Sequence, residues 1–394
     1  MTAPQREFEL VAGPLRMRVG PDGKVRVGWN EPDWLGPGVL SVTETQSAPA
    51  VRDSDGEVAV ERGAVRASMR TLDGESAIVV RLESLAAQCI ASPDGFASPP
   101  VAWHFDPAAR ESAGAPTGMR AFGYQFTEFA LPVFSDEQLE RWRLLPWRPA
   151  IVFPLALLAP DGRTVLLAPL DRFHDQVIAV PANRDDPRRG LSAGWHGDLG
   201  DVARGFATQL AIIAGHGLRD SLATWSRLLR ADSNVPPPPR DADRLATHVS
   251  YWTDNGSAYW YHSAPGLDMA SSIVAAVDDL EDRGVPVGSV QLDSWWYPHA
   301  VSRSLNVDDE IVPPTGMRVW EPRADALPDG IPALRERLRG RHLVAHCRHL
   351  SSESMYADAF PMWIDGDRAH PSNDELYDRL LDQAVAWGID VFEH

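Results

Sequence analysis

Alternation of apolar and polar positions opens the chain. Leu15-Arg16-Met17-Arg18-Val19 alternates, Gly20-Pro21-Asp22-Gly23 turns, and Lys24-Val25-Arg26-Val27 alternates again. That pattern predicts a β-hairpin. A second hairpin is predicted where the apolar run 151–158 meets Ala159-Pro160-Asp161-Gly162 and returns through Thr164-Val165-Leu166-Leu167. Residues 77–82, 101–105, 176–180 and 206–214 are further strand candidates. Short strands at this density, punctuated by Gly and Pro, predict a β-sandwich. Two helices are expected within it. Ser135 and Gln138 form a capping box ahead of Leu139, Trp142 and Leu145, and Leu218, Leu222, Trp225, Leu228 and Leu229 share one helical face.

The texture changes after residue 232. Four consecutive prolines, 236–239, can continue neither a helix nor a central strand, so they predict a stiff extended linker. Beyond it, apolar runs of strand length alternate with runs of helical period. Residues 248–252, 285–292, 342–345 and 389–392 are the strands. Ile273, Val277 and Leu280 mark the first helix, Ile331, Leu334 and Leu338 the second, and Leu376, Leu380, Leu381, Ala384 and Trp387 the third. Strands and helices in alternation predict a parallel sheet with right-handed crossovers. The organisation is therefore a β-sandwich over 1–232, a Pro-rich linker over 233–244, and a β/α domain over 245–394. The fold class is α/β plus all-β.

Every one of these four strands delivers polar, ionisable or aromatic residues at its carboxyl end. They are Trp252-Thr253-Asp254, Asp293-Ser294-Trp295-Trp296-Tyr297, His346-Cys347-Arg348-His349 and Glu393-His394. The top face of a (β/α)8 barrel is built in this way, and so is the crevice of a doubly wound sheet. No Gly-rich phosphate turn follows the first strand, which argues against a nucleotide. A buried strand ending in a carboxylate and aromatic rings suits a sugar. The acid grips hydroxyls or handles protons, and a ring stacks on the pyranose face. Trp295 and Trp296 are adjacent, so on an extended segment only one can face a ligand.

Composition narrows the partners. The chain has 394 residues and a net charge of −18, which opposes nucleic acid and anionic membrane surfaces. Trp is abundant at 14, as carbohydrate contact or core packing would require. No apolar run approaches the roughly 20 residues of a membrane span, and 1–17 lacks the apolar core of a secretory signal. Cys89 and Cys347 are too few for a disulfide framework. A cytoplasmic location is expected.

These residues resemble the α-glycosidase clan that contains glycoside hydrolase families 27, 31 and 36. Trp387-Gly388-Ile389-Asp390-Val391-Phe392-Glu393-His394 is similar to that clan's fourth barrel strand, and Gln291-Leu292-Asp293-Ser294-Trp295-Trp296 to its second. A β-sandwich ahead of the barrel matches families 31 and 36 better than 27. The textures Tyr251-Trp252-Thr253-Asp254-Asn255-Gly256 and His346-Cys347-Arg348-His349 depart from well-known members. The resemblance implies a retaining glycosidase with two carboxylates and no cofactor. It places the nucleophile just after His394, with Glu393 as the alternative within the chain. The 149 residues over 246–394 fall short of the roughly 200 that an eight-stranded barrel needs. The first four strands of a barrel, cut short inside it, are therefore expected.

The expected substrate contacts are Trp252, Asp254, Asp293, Trp295, Trp296, His346, Arg348 and Glu393. Trp363 and Asp365, in the long segment after the third strand, are weaker candidates. Three other functions compete with hydrolysis of α-linked sugars. A transglycosidase would use the same site, and a carbohydrate-binding protein would lack the chemistry. A metal-dependent hydrolase would draw on His346, His349 and His394, although His-Cys-Arg-His lacks a second ligand cluster.

Overall fold

A computed structural model gives the structure of the chain. It describes residues 6–31, 34–43, 45, 47–54, 56–91, 99–105, 118–125, 132–134, 150–180, 191–233, 236, 239–254, 260–307 and 315–394. The chain divides into two compact units, Met1–Pro237 and Pro238–His394. The helix expected around Ser135 lies outside the described residues, as do residues 234, 235, 237 and 238 of the linker.

In the first unit, sixteen described strands form one antiparallel sheet, fourteen along a single hydrogen-bonded path and two, Arg120–Gln125 and Pro132–Phe134, branching from it. Both expected hairpins are present. Leu15–Val19 pairs with Val25–Trp29, and Ala150–Leu158 with Arg163–Pro169. The strands at the two ends of the path, Phe8–Ala12 to Leu35–Val42 and Ala50–Ser54 to Ala77–Ser84, bury their apolar side chains in one shared core. That is a sandwich. The pleat explains a second core. Ile78 and Val80 face the shared core, whereas Ala77 and Val79 face the opposite side. Helix Gly217–Ser233 covers that opposite side with Leu218, Leu222, Trp225, Leu228 and Leu229.

In the second unit, four strands lie parallel in chain order: Val249–Trp252, Val287–Leu292, His342–His346 and Val391–Glu393. The order never reverses, as it must in a doubly wound sheet, so the arrangement is that of successive barrel strands. The helices between them are Met269–Asp282, Gly330–Arg337 and Glu375–Trp387. Asp268 caps the first of these, its carboxylate accepting from the Ser271 amide at 2.6 Å. Gly388, at φ 71°, ends the last one in the left-handed conformation that favours glycine.

The sheet's two faces differ in chemistry. Val290, Leu292, Leu343, Ala345 and Phe392 pack with the helices. The alternate positions point the other way. Trp252, Gln291, Val344 and Val391 stand in one cross-strand row, and His346 and Glu393 pair in the next. One element was not foreseen. Met362–Asp365 and Arg368–Pro371 form a hairpin, joined by Leu350–Ser351, between the third strand and its helix. Trp363 and Asp365 stand exposed on it.

Candidate active site

The four strand ends lie at one edge of this parallel sheet and are wired together by short polar contacts. Thr253, fully buried, links the first strand to the second. Its hydroxyl donates to the Gln291 carbonyl at 2.8 Å and accepts from the Trp295 indole at 2.9 Å. Its amide donates to the Gln291 side-chain oxygen at 3.2 Å. The other end of the Gln291 amide donates to Glu393 Oε2 at 3.1 Å, although their strands are not neighbours. A glutamine inside a buried strand thus joins the first strand end to the fourth.

Asp293 ends the second strand and is 7% exposed. Burial, then the charge and hydrogen-bonding proximity of the Asp254 carboxyl, push its pKa up to about 7. Its Oδ1 lies 3.5 Å from His346 Nδ1. This contact is not an ion pair. Burial, with the Arg348 charge beside it, pushes His346 down to about 4. Tyr297, fully enclosed, has its phenol held well above the ordinary value by burial. The phenol accepts from the Arg348 amide at 3.1 Å, which leaves its proton for His346 Nδ1 at 2.8 Å. His346 Nδ1 is then an acceptor, and an acceptor facing Asp293 favours the protonated carboxyl. Around neutral pH, the Asp293 carboxyl is therefore about half protonated and can offer a proton to a ligand.

His299 braces the turn that carries Asp293. Its Nε2 lies 2.6 Å from the Ser294 carbonyl and its Nδ1 lies 3.0 Å from that of Thr315. Carbonyls only accept, so an imidazolium would serve both. Burial nevertheless keeps the pKa of His299 below its ordinary value, outweighing those carbonyls. The Tyr297 ring stacks on it at 5.1 Å.

The expected residues separate into two groups. Asp254, Asp293, His346 and Glu393 gather at the strand ends, with Arg348 one step beyond. Trp252, 51% exposed, shows an open ring on the polar face of the sheet. Trp295 and Trp296 do not. The segment Ser294–Trp296 leaves the strand as a 3-10 turn and encloses both rings completely. Trp295 anchors Thr253, and Trp296 packs edge-on against Trp320 and Trp387. They present no face on which a sugar could stack. Asp390, part of the fourth-strand motif, is a brace: it accepts from the Leu343 amide and pairs with Arg335.

Among the described residues, no three His, Cys, Asp or Glu side chains converge as metal ligands. His394 instead spends its ring nitrogens on the Cys347 carbonyl and the Tyr377 hydroxyl. It joins His349, Cys347 and Tyr377 around a cleft of about 50 Å³. Burial pushes the Cys347 thiol up to about 12 and His349 down to about 4. Among the described residues, no helix is long and apolar enough to cross a membrane.

No family model and no curated protein matches the chain. Solved structures similar to it include an α-galactosidase from Thermus thermophilus, at 14% identity and a TM-score of 0.47, matching 98% of this chain and 63% of that one. An α-N-acetylgalactosaminidase from Bifidobacterium bifidum matches at 10% identity and a TM-score of 0.49, over 98% of this chain and 68% of that one. A family 97 glycoside hydrolase from a Pseudoalteromonas strain matches at 12% identity and 0.49, over 98% and 64%. The chain thus spans less than two thirds of the Thermus protein.

Proposed function

We propose that the strand ends of residues 238–394 form the sugar site of a glycosidase, or of a related transglycosidase, acting on α-linked sugars. The observation that carries this reading is the Asp254–Asp293 pair at the ends of adjacent parallel strands, with Asp293 held near half protonation at neutral pH. One carboxylate and one carboxylic acid, side by side, can accept from one hydroxyl and donate to the next. Vicinal hydroxyls are the commonest feature of a pyranose. The pair is too close to flank a glycosidic bond, since retaining carboxyls stand about 5–5.5 Å apart. Its role is therefore to hold substrate. Glu393 is the candidate nucleophile within these residues. The Gln291 amide donates to it and holds it in place. Trp252 is the ring available for stacking.

The test is calorimetric binding of methyl α-glycosides, with turnover of aryl α-glycosides measured alongside. Asp293→Asn is expected to weaken binding at least tenfold, because one hydrogen bond to a charged group is worth about 1.5–3 kcal/mol. Glu393→Gln is expected to bind as wild type does and to abolish turnover. Binding without turnover in the wild type would rule out Glu393 as the nucleophile, and turnover restored in a chain extended beyond His394 would separate the glycosidase from a carbohydrate-binding protein. A chain that binds no sugar ends the reading.

A further inference from the structure

Arg348 follows the third strand and belongs structurally to the strand-end network. Its amide donates to the Tyr297 hydroxyl, that hydroxyl contacts His346 Nδ1, and the same nitrogen lies 3.5 Å from Asp293. Its guanidinium is a different matter. The other arginines of this unit that are not exposed each place the head on a partner, although the Arg303 Nε is, like that of Arg348, enclosed without an acceptor. Arg341 is paired with Glu281, Arg335 with Asp390, and Arg323 with Asp325 and the Arg303 carbonyl. Arg303 donates to the Val307 carbonyl at 2.6 Å. Among the described residues, the Arg348 guanidinium has no carboxylate or carbonyl partner, and its Nε is enclosed with no acceptor.

The groups that feel its charge do not neutralise it. They include Tyr261, Tyr297, His299, His346 and His349, all neutral or cationic side chains. The acid pair is no counterion either. The charge state of Asp293 is governed by burial and by Asp254. A half-buried cation has thus been placed beside a sugar site with its fork unfilled.

We propose that the sugar taken at these strand ends carries one negative charge, on a carboxylate, and that Arg348 binds it. This rests on the reading of the strand ends as a sugar site. A guanidinium fork matches a planar carboxylate through two parallel hydrogen bonds. A dianionic phosphate would meet the same fork but would also face the Asp254 carboxylate, which penalises the second charge. A uronic acid satisfies both ends of the site at once, with vicinal hydroxyls for the aspartates and a carboxylate for the arginine.

The experiment is calorimetry on residues 1–394 with methyl α-galacturonide, methyl α-glucuronide, the matching neutral glycosides, and galactose 6-phosphate. The better uronide is expected to bind at least tenfold tighter than its neutral counterpart, and the difference should shrink as salt is raised. Arg348→Gln should erase that preference, cutting uronide affinity at least tenfold and neutral-sugar affinity by much less. Arg348→Lys should keep part of it, having the charge without the fork. Asp293→Asn should weaken acidic and neutral sugars alike. Neutral sugars binding as tightly as uronides, or a preference that survives Arg348→Gln, overturns the proposal and leaves the sugar site standing. Tightest binding of the phosphate overturns the choice of a monoanion. Failure of every sugar to bind removes the sugar site itself.

Discussion

In residues 1–237, Asp22 rests against Lys24 and Asp161 against Arg163, both at the surface, and each carboxyl is drawn below its ordinary value by that hydrogen-bonding partner. Two buried polar groups there are satisfied by hydrogen bonds. The Trp195 indole donates to Thr208 and the Gln176 amide to the carbonyls of Asp171 and Gln209. In residues 238–394, Asp293 rests against another carboxyl, and His346 and His349 are driven towards neutrality by burial. His196 is an exception in the first unit, also held low by burial. The contrast shows where this chain accepts an electrostatic cost. Unfavourable charge placement concentrates at four strand ends, which is where binding chemistry is expected.

The second unit can bear that cost only if its core is strong. Trp296→Ala removes a wholly enclosed ring that touches Trp320 and Trp387. A loss of about 3–5 kcal/mol is expected. Hydrogen exchange should show it across 238–394 and not across Met1–Pro237. Uniform protection in the mutant would break the comparison.

A pH scan comes next in size. His346 falls from 6.5 to about 4 on folding, so its stabilisation is present above pH 6.5 and is lost as the pH drops through that interval. His349 acts in the same sense, discounted for its exposure. Asp293 works in the opposite direction. Its value rises from 3.8 to about 7, so folding is penalised at high pH and relieved as pH falls. Each tenfold change in proton affinity is worth about 1.4 kcal/mol, so the opposing contributions nearly cancel. Asp293 and His346 offset each other, so wild-type stability of 238–394 should fall only by the shares of His349 and His299 between pH 6.5 and 4. Asp293→Asn removes the compensation, and the variant should lose about 3 kcal/mol over the same range in denaturant titrations. Parallel profiles would mean that Asp293 is ionised in the folded protein.

The smallest effect sharpens the contrast from the other side. Arg18–Glu9 in the first unit and Arg283–Asp279 in the second are both open to solvent. Replacing either arginine with Ala should leave the midpoint of denaturant unfolding unchanged within measurement error. Equal, small values would place the difference between the units in buried groups. A large value at Arg283 would spread it over the surface.

Much of this arrangement was legible because it is periodic. Strands ending at Trp252, Leu292, His346 and Glu393 were carried by apolar runs of strand length, and the helices by Ile273, Leu334 and Leu380 on single faces. What periodicity does not encode stayed hidden. The burial of both Trp295 and Trp296 follows from a 3-10 turn, which three residues spanning one turn can make where an extended strand cannot. Thr253, Tyr297 and His299 are single polar residues in irregular segments, and no spacing marks them. Gln291 did carry a signal: an amide inside an otherwise buried strand must find partners. The hairpin over 362–371 had one too, since Asp365-Gly366-Asp367 is a turn sequence and Gly366 takes φ 59°.

The Gln291–Glu393 contact has a geometric consequence. Side chains standing upright on a flat sheet stay as far apart as their strands, and two strands separated by a third are roughly 10 Å apart. These two meet at 3.1 Å. Both side chains must lean toward each other to close that gap, and their contact is a chord drawn across the third strand. Val344, standing in the Gln291 row, is short enough to pass beneath that chord. One amide thereby holds the second and fourth strand ends together. Shortening it by one methylene, as in Gln291→Asn, would release Glu393 before any other polar side chain at the strand ends had changed.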